Sequence, residues 1–308
     1  MSVAQSPVIH KNYSLDEAFD YCATITNAHY ENFPVASLFL PEEKRPYIQA
    51  IYAFSRVADD FADERDRSPE DRLADLNDWD EKLHQCFEGH ADHPVFIALR
   101  ETVTQLGLPL EPLHDLLTAF KRDATQNRYE TFDDLRSYCR CSANPVGRLV
   151  LMIFGYRDEE LFKLSNDICT ALQLTNFWQD VAVDRKKDRL YLPIEDMNRF
   201  GYSLQDWTNS TLNDRFRDLM KFEVARTREI FFHGIDLPTR VLKELQFELK
   251  LVWIGGMTIL KKIDSVKGNV LTQRPTLSTV NKGMILLRGL FMKDLRHFGK
   301  KRVEWEQE

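Results

Sequence analysis

The stretch ALQLTNFWQDVAVD, residues 171–184, places Gln173, Asn176, Asp180 and Asp184 at i, i+3, i+7 and i+11 among Leu172, Leu174, Phe177, Trp178, Val181 and Val183. Helical geometry stacks residues at that spacing on one face, so the segment reads as a helix with a single polar stripe between apolar flanks. An earlier stretch, IYAFSRVADDFADE at 51–64, repeats the device: Tyr52, Arg56, Asp59 and Asp63 fall at i, i+4, i+7 and i+11, beside Ile51, Phe54, Val57, Ala58, Phe61 and Ala62. A helix lying on a protein surface carries a broader polar face than this, which turns both stripes toward an interior cavity. Two carboxylates one turn apart repel by about 0.2–0.5 kcal/mol unless a cation accompanies them. One such pair would read as readily as solvated surface; the second occurrence weighs against that.

The rest of the chain agrees with long helices. Its 308 residues are 43% hydrophobic and 29% charged, with only 12 Gly and 12 Pro, which leaves few turn-makers for the length. Many short strands are thereby excluded, and the expected fold is all-α: a helical bundle around a central cavity. No linker, repeat or low-complexity tract divides residues 1–308, so one domain is expected. The net charge of -7 comes from interspersed acids and bases, which gives no footprint for nucleic acid. Cys22, Cys86, Cys139, Cys141 and Cys169 are odd in number and follow no zinc spacing, which fits a reducing compartment. Cys139 and Cys141 have no second pair to complete a metal site. The first residues, MSVAQSPVIHKNYS, lack the apolar run of a secretion signal. The longest apolar stretches, 251–260 and 283–292, fall short of the ~20 residues a bilayer requires; they read as helices buried in a core, with helices resting on a membrane surface as the alternative.

Ser14 with Glu17 forms a capping box, and Ser68-Pro69-Glu70 sets a cap, a first-turn proline and an acid in order. Helical segments are expected over 42–66, 69–88, 93–107, 110–127, 131–153, 158–187, 211–234, 238–264 and 276–298. Between Asp188 and Ser203, Pro193 and Gly201 break the pattern, and this region reads as a loop lying over a pocket.

If the two striped helices face each other, Asp59, Asp63, Asp180 and Asp184 line a common cavity. That all-oxygen environment suits Mg²⁺, which takes few protein ligands and leaves room for phosphate oxygens. Metal ions bridging carboxylates to a diphosphate neutralise the leaving group and permit ionisation of an allylic or cyclopropylcarbinyl carbon–oxygen bond. The carbocation then requires a dry pocket with aromatic faces, which the 20 Phe, 10 Tyr and 5 Trp can supply, although most of them must simply be core.

At this point the chain resembles the squalene and phytoene synthases, and the resemblance covers nearly its whole length. It rests on Asp59-Asp60-Phe61-Ala62-Asp63 and Asp180-Val181-Ala182-Val183-Asp184, with Tyr52 and Arg56 before the first motif and Gln173 and Asn176 before the second. Arg189-Leu190-Tyr191-Leu192-Pro193 looks like the family's R-x-Y-x-P segment, and Arg274 with Lys282 matches its late basic positions. The resemblance implies diphosphate contacts from Tyr52, Arg56, Arg189, Tyr191, Arg274 and Lys282. It implies Mg²⁺ held by Asp59, Asp63, Asp180 and Asp184, with Asn176 ligating or orienting and Gln173 near the cation or the metal shell. Tyr138 matches the family's catalytic tyrosine, which would steer the rearrangement or position a water; the plainer reading is a core tyrosine.

Two segments depart from most of the family: ENFPVAS at 31–37 and SANPVGRLVL at 142–151. Both resemble the bacterial hopanoid-pathway branch, the hydroxysqualene synthases. That branch is expected to ionise presqualene diphosphate, rearrange the cation and capture it with water, with no NADPH. Gly255-Gly256 lies in an apolar helical stretch and opens no nicotinamide-binding turn. The alternative is a squalene, dehydrosqualene or phytoene-type synthase that joins two prenyl diphosphates such as farnesyl diphosphate head to head. A chain-elongating prenyltransferase, a terpene cyclase and a non-catalytic helical scaffold are the more distant readings. Greasy substrates and products imply a cytoplasmic protein in contact with the inner face of the membrane or with a neighbouring pathway enzyme, though no motif specifies either. His29 reads as a packed or surface side chain before it reads as a base. Asp123 reads as a pocket support or a partner of Arg122 or Arg128, Asp188 as part of the covering loop, and the final RVEWEQE as a frayed end.

Overall fold

In the computed structural model Ser14 opens the first described helix: its hydroxyl accepts from the Glu17 N–H at 3.2 Å, and its own N–H donates to the Glu17 carboxylate at 2.9 Å. Ser68 does the same work at the third helix, where its hydroxyl accepts from the Asp71 N–H with Pro69 in the first turn. The structure describes residues 13–28, 41–64, 66–292 and 294–296. His29, the ENFPVAS segment and RVEWEQE therefore lie outside the described residues. Among those described there are α-helices and short 3₁₀ turns but no strand, and one isolated bridge pairs Arg128 with Leu190. The all-α expectation holds.

The described residues group into two compact units, those up to Gln126 together with 148–157, and those of 127–147 together with the ones from Asp158 onward. The first contains α1 (Leu15–Ala28), α2 (Arg45–Asp63), α3 (Pro69–Phe87), α4 (Pro94–Leu106) and α5 (Glu111–Thr125). Helix α2 lies against all four others. Its Ile48, Ala50, Ile51, Ala53, Phe54, Ala58 and Ala62 are buried, while Tyr52, Arg56, Asp59 and Asp63 are half-buried along the other side. The core is keyed by Trp79, which donates its indole N–H to the Phe54 carbonyl at 3.3 Å and packs 4.5 Å from the Phe96 ring.

The second unit contains α6 (Phe132–Ser142), the first turn of α7 (Asn144–Ile153), α8 (Glu159–Lys186), α9 (Ile194–Arg199), α10 (Leu204–Thr208), α11 (Asp214–His233), α12 (Lys243–Ser265) and α13 (Thr279–Phe291). Helix α8 lies against α6, α11 and α12. Two glycines allow close approaches within this unit. A Cβ on Gly256 of α12 would stand 2.4 Å from the Phe231 ring, and one on Gly147 of α7 would stand 2.3 Å from the Ser165 hydroxyl and 2.6 Å from the Cys169 thiol. The adjoining Asn144 side chain accepts from the Thr170 hydroxyl at 2.9 Å, both groups being buried. The 144–147 part of the segment that departs from most of the family is therefore where the first turn of α7 packs on α8. Gly255 and Gly256 are buried in the middle of α12.

Three expectations need correction. The helix expected over 131–153 is two, broken at Ala143, because Pro145 has no N–H for the Cys141 carbonyl and its ring would collide with that group; in the first turn of a new helix it does neither. The region 188–203 is not loop throughout: Ile194–Arg199 forms α9, for which Pro193 is the starting residue, not a breaker. The apolar run 251–260 is core, but the run 283–292 is not. On α13 only Ile285 and Gly289 are buried, and Val280 (71%), Leu287 (54%) and Phe291 (79%) are exposed. No described helix is long and apolar enough to cross a membrane.

Candidate active site

Asp59, Asp60 and Asp63 occupy the last turn of α2, whose outward-facing carbonyls already make that end of the helix negative. The structure answers with a cation from the same helix. The two terminal nitrogens of Arg56 donate to Asp59, at 3.0 Å, and to Asp60. Tyr52 shares this field: burial raises its phenol pKa, Arg56 pulls it down, and Asp59 and Asp60 push it up. The turn is held from outside by Arg72 of α3, which donates to the Ala62 carbonyl at 2.7 Å and to the Ala124 carbonyl of α5 at 3.1 Å.

In the second unit Asp180 and Asp184 likewise sit in the final turns of a helix, α8, and both are half-buried. Here the cation comes from far along the chain. Arg274 forks onto Asp180, with one terminal nitrogen 3.0 Å from Oδ2 and Nε on Oδ1. That hydrogen-bonded fork raises the Arg274 pKa first, and the charges of Asp180 and Asp184 add to it. Gln179 ties down the same connection by donating to the Pro275 carbonyl at 2.5 Å.

Beside Asp180, one turn earlier, Phe177 begins an aromatic cluster. Its ring stacks on Tyr191 at 3.7 Å, Tyr138 lies 6.0 Å from both, and Tyr129 is 5.6 Å from Tyr138. Tyr138 and Tyr191 are both buried. The segment carrying Arg189 and Tyr191 is fixed along residues 127–130: Leu190 N–H donates to the Asn127 carbonyl at 2.9 Å and Ile194 N–H to the Tyr129 carbonyl at 3.0 Å. At its start Asp188 adopts a positive φ of 52° and is held by Arg128, at 2.5 Å, and by Asn127, at 2.9 Å. Arg128 thus pairs with Asp188.

The structure therefore brings together Tyr52, Arg56 and Asp59 in one place, Asp180, Asp184 and Arg274 in another, and Tyr138 with Tyr191 in a third. Asp63 stands half-buried at the end of α2, and Arg189 is half-buried, its N–H donating to the Asp184 carbonyl at 2.9 Å. Gln173 is half-buried and Asn176 exposed, and neither side chain is hydrogen-bonded among the described residues. Lys282 is exposed on α13 and makes no ion pair among the described residues. Sequence reasoning missed Asp60 as the second partner of Arg56, and missed Arg72, Gln179 and Phe177. Asp60 is legible at i+4 from Arg56; Arg72 and Gln179 are not, because their acceptors lie 52 and 96 residues away. Cys139 is buried and Cys141 half-exposed on α6, two residues apart, a spacing that turns helical side chains away from each other and from a common metal. Taken by itself, each aspartate pair offers only hard carboxylate oxygens, partly open, at a negative helix end, a donor type that fits Mg²⁺.

Residues 26–281 match the squalene/phytoene synthase family. The chain belongs to that family. The phytoene synthase of Arthrospira platensis is 29% identical over 302 residues, covering 93% of this chain and 96% of the relative. The hydroxysqualene synthase of Zymomonas mobilis is 43% identical over a shorter 180 residues, 57% of this chain and 59% of the relative. Among solved structures, squalene synthase HpnC from Alicyclobacillus acidocaldarius superposes with a TM-score of 0.79 at 41% identity, covering 83% of this chain and 96% of that one. This squalene/phytoene synthase family member is thus an enzyme of prenyl diphosphate chemistry with the all-α fold of its relatives.

Proposed function

We propose that this family member converts presqualene diphosphate to hydroxysqualene, working as one cytoplasmic domain on the route to hopanoids. The observation that carries the choice of product is the higher identity to the hydroxysqualene synthase, 43% over 180 residues, than to the phytoene synthase, 29% over 302. Asp59 and Asp63 from one stripe and Asp180 and Asp184 from the other would hold Mg²⁺, with Asn176 as a further oxygen ligand. Bound Mg²⁺ would neutralise the diphosphate leaving group and lower the cost of breaking its bond to carbon.

The chain's own residues supply the rest. Arg56 and Arg274 already sit as counter-charges on the stripes and would turn part of their hydrogen bonding to phosphate oxygens, joined by Tyr52, Arg189 and Lys282. The burial that raises the Tyr52 phenol pKa keeps it a donor. Tyr138, Phe177 and Tyr191 present ring faces to the carbocation and exclude stray water, and Gln173 lies one turn before Phe177 on the same helix. The carbon–oxygen bond breaks with its electron pair leaving on diphosphate. The cation rearranges, and a water adds its oxygen and gives up a proton. No electrons are gained or lost overall, so no NADPH is needed. Contact with a membrane surface is supported by α13, where Val280, Met284, Leu287 and Phe291 recur at i, i+4, i+7 and i+11 and are all exposed. A neighbouring pathway enzyme would serve the same purpose of passing on an apolar product.

A second reading, squalene formation from farnesyl diphosphate, is favoured by the activity in the HpnC structure's name. Supplying presqualene diphosphate and Mg²⁺ with and without NADPH separates the two. An alcohol formed without reductant supports hydroxysqualene synthesis; squalene formed only with NADPH overturns it.

A further inference from the structure

Away from the acidic motifs, α3 and α5 lie against each other in the first unit and bring three ligand-type side chains together. Asp80 and His84 are one turn apart on α3, and His114 stands in the first turn of α5. One ligand atom from each lies within 4.8 Å of the other two. The Asp80 carboxylate sits between the imidazoles: His84 Nε2 is 3.8 Å from Oδ1, and His114 Nε2 is 3.6 Å from Oδ2. The two rings are 5.9 Å apart. Asp80 is only 14% exposed, and its Oδ1 is buried with no hydrogen-bond partner. A buried carboxylate oxygen left unsatisfied is costly, and it faces an imidazole nitrogen that stands too far away for a hydrogen bond.

We propose that Asp80, His84 and His114 form a site for a divalent transition metal of the zinc class that fastens α3 to α5. Two imidazoles and one carboxylate are borderline donors that suit zinc and its first-row neighbours, and they leave a further position for water. The ligand atoms, now within 4.8 Å of one another, must draw in to about 3.3 Å, the separation of tetrahedral ligands around zinc, and the half-exposed histidine side chains can swing inward by rotation to do so. Lys121 marks the place where positive charge is wanted: its ammonium donates to Asp80 Oδ2 at 2.7 Å. It also competes for that oxygen, so the site binds metal against a resident cation. Because α3 and α5 both flank α2, a metal here would stiffen the seat of the first acidic stripe without touching it. The inference does not depend on which prenyl product the enzyme makes.

The test uses the full chain without a histidine tag, titrated with Zn²⁺ or Co²⁺ alone in excess Mg²⁺, which occupies oxygen sites but does not compete for imidazole. One equivalent is expected to bind, to raise the unfolding temperature, and to give a cobalt spectrum without thiolate charge-transfer bands. His84→Ala and His114→Ala should each weaken binding about tenfold or more, and Lys121→Met should tighten it. His84→Gln, a good helix former without the imidazole, should weaken zinc binding as the alanine variant does while leaving the metal-free unfolding temperature unchanged. Zinc binding that is unchanged in the His84→Ala/His114→Ala chain, or a cobalt spectrum with thiolate bands, would overturn the proposal.

Discussion

The two acidic stripes look alike in sequence but are neutralised in different ways. On α2 the cation is local: Arg56 reaches Asp59 and Asp60 at i+3 and i+4, so the pairing belongs to the helix itself. On α8 it is non-local, since Arg274 reaches Asp180 across 94 residues and depends on the connection between α12 and α13 being folded. The first stripe carries its own counter-charge wherever its helix forms; the second acquires one only when its unit is assembled.

The largest effect expected is on activity. Asp59→Ala and Asp180→Ala should each lower steady-state turnover of the prenyl diphosphate by about a hundredfold to a thousandfold, because on the proposed reading each takes a ligand from the Mg²⁺ that would neutralise the leaving group. Loss from only one of them would break the symmetry between the stripes. The next test strikes the support behind α8 alone. Gly256→Ala would push a methyl into the Phe231 ring and should cost about 1–3 kcal/mol in urea unfolding.

A pH measurement sharpens the same contrast. Behind α8, Glu223 on α11 is fully buried beside Arg226 and Asp196, and burial drives its pKa up to about 8 against an ordinary 4.5, with Arg226 opposing. A raised carboxyl pKa means that the folded state keeps a proton the unfolded chain has released. Its stabilisation is complete below about pH 4.5 and is lost as pH rises toward 8. Glu223→Gln should flatten that decline in a series of unfolding curves, and an unchanged slope would exclude Glu223 as its source.

The smallest effect distinguishes the two arginines. Asp59→Asn leaves Arg56 its bond to Asp60 and should leave stability unchanged. Asp180→Asn deprives Arg274 of its charged partner and, because the arginine is 40% exposed and solvent-screened, should cost less than about 1 kcal/mol in the same unfolding assay.

Much of this architecture could be read directly from the residues. The stripes, the Ser14 and Ser68 caps and the long helices follow from spacing and capping chemistry, and the structure has them where the pattern put them. The break at Ala143 was available in Pro145 but was outweighed by the apolar periodicity on either side. The exposure of α13 could be raised from the sequence but not decided there, since a run of Ile and Leu looks the same whether or not another element covers it.

What the sequence alone determined is whatever a helix fixes within a few turns: which side chains share a face, where a helix starts, and that two carboxylate pairs each lie on one stripe. Those relations are set by hydrogen bonds between residues three or four apart and survive any later packing. Tertiary structure alone decided that Arg274 guards Asp180, that Tyr191 stacks on Phe177, and that Arg72 clamps the end of α2 to the end of α5. Those contacts join positions that no local rule brings together, and they exist only because close packing of whole helices leaves each of these groups one place to go.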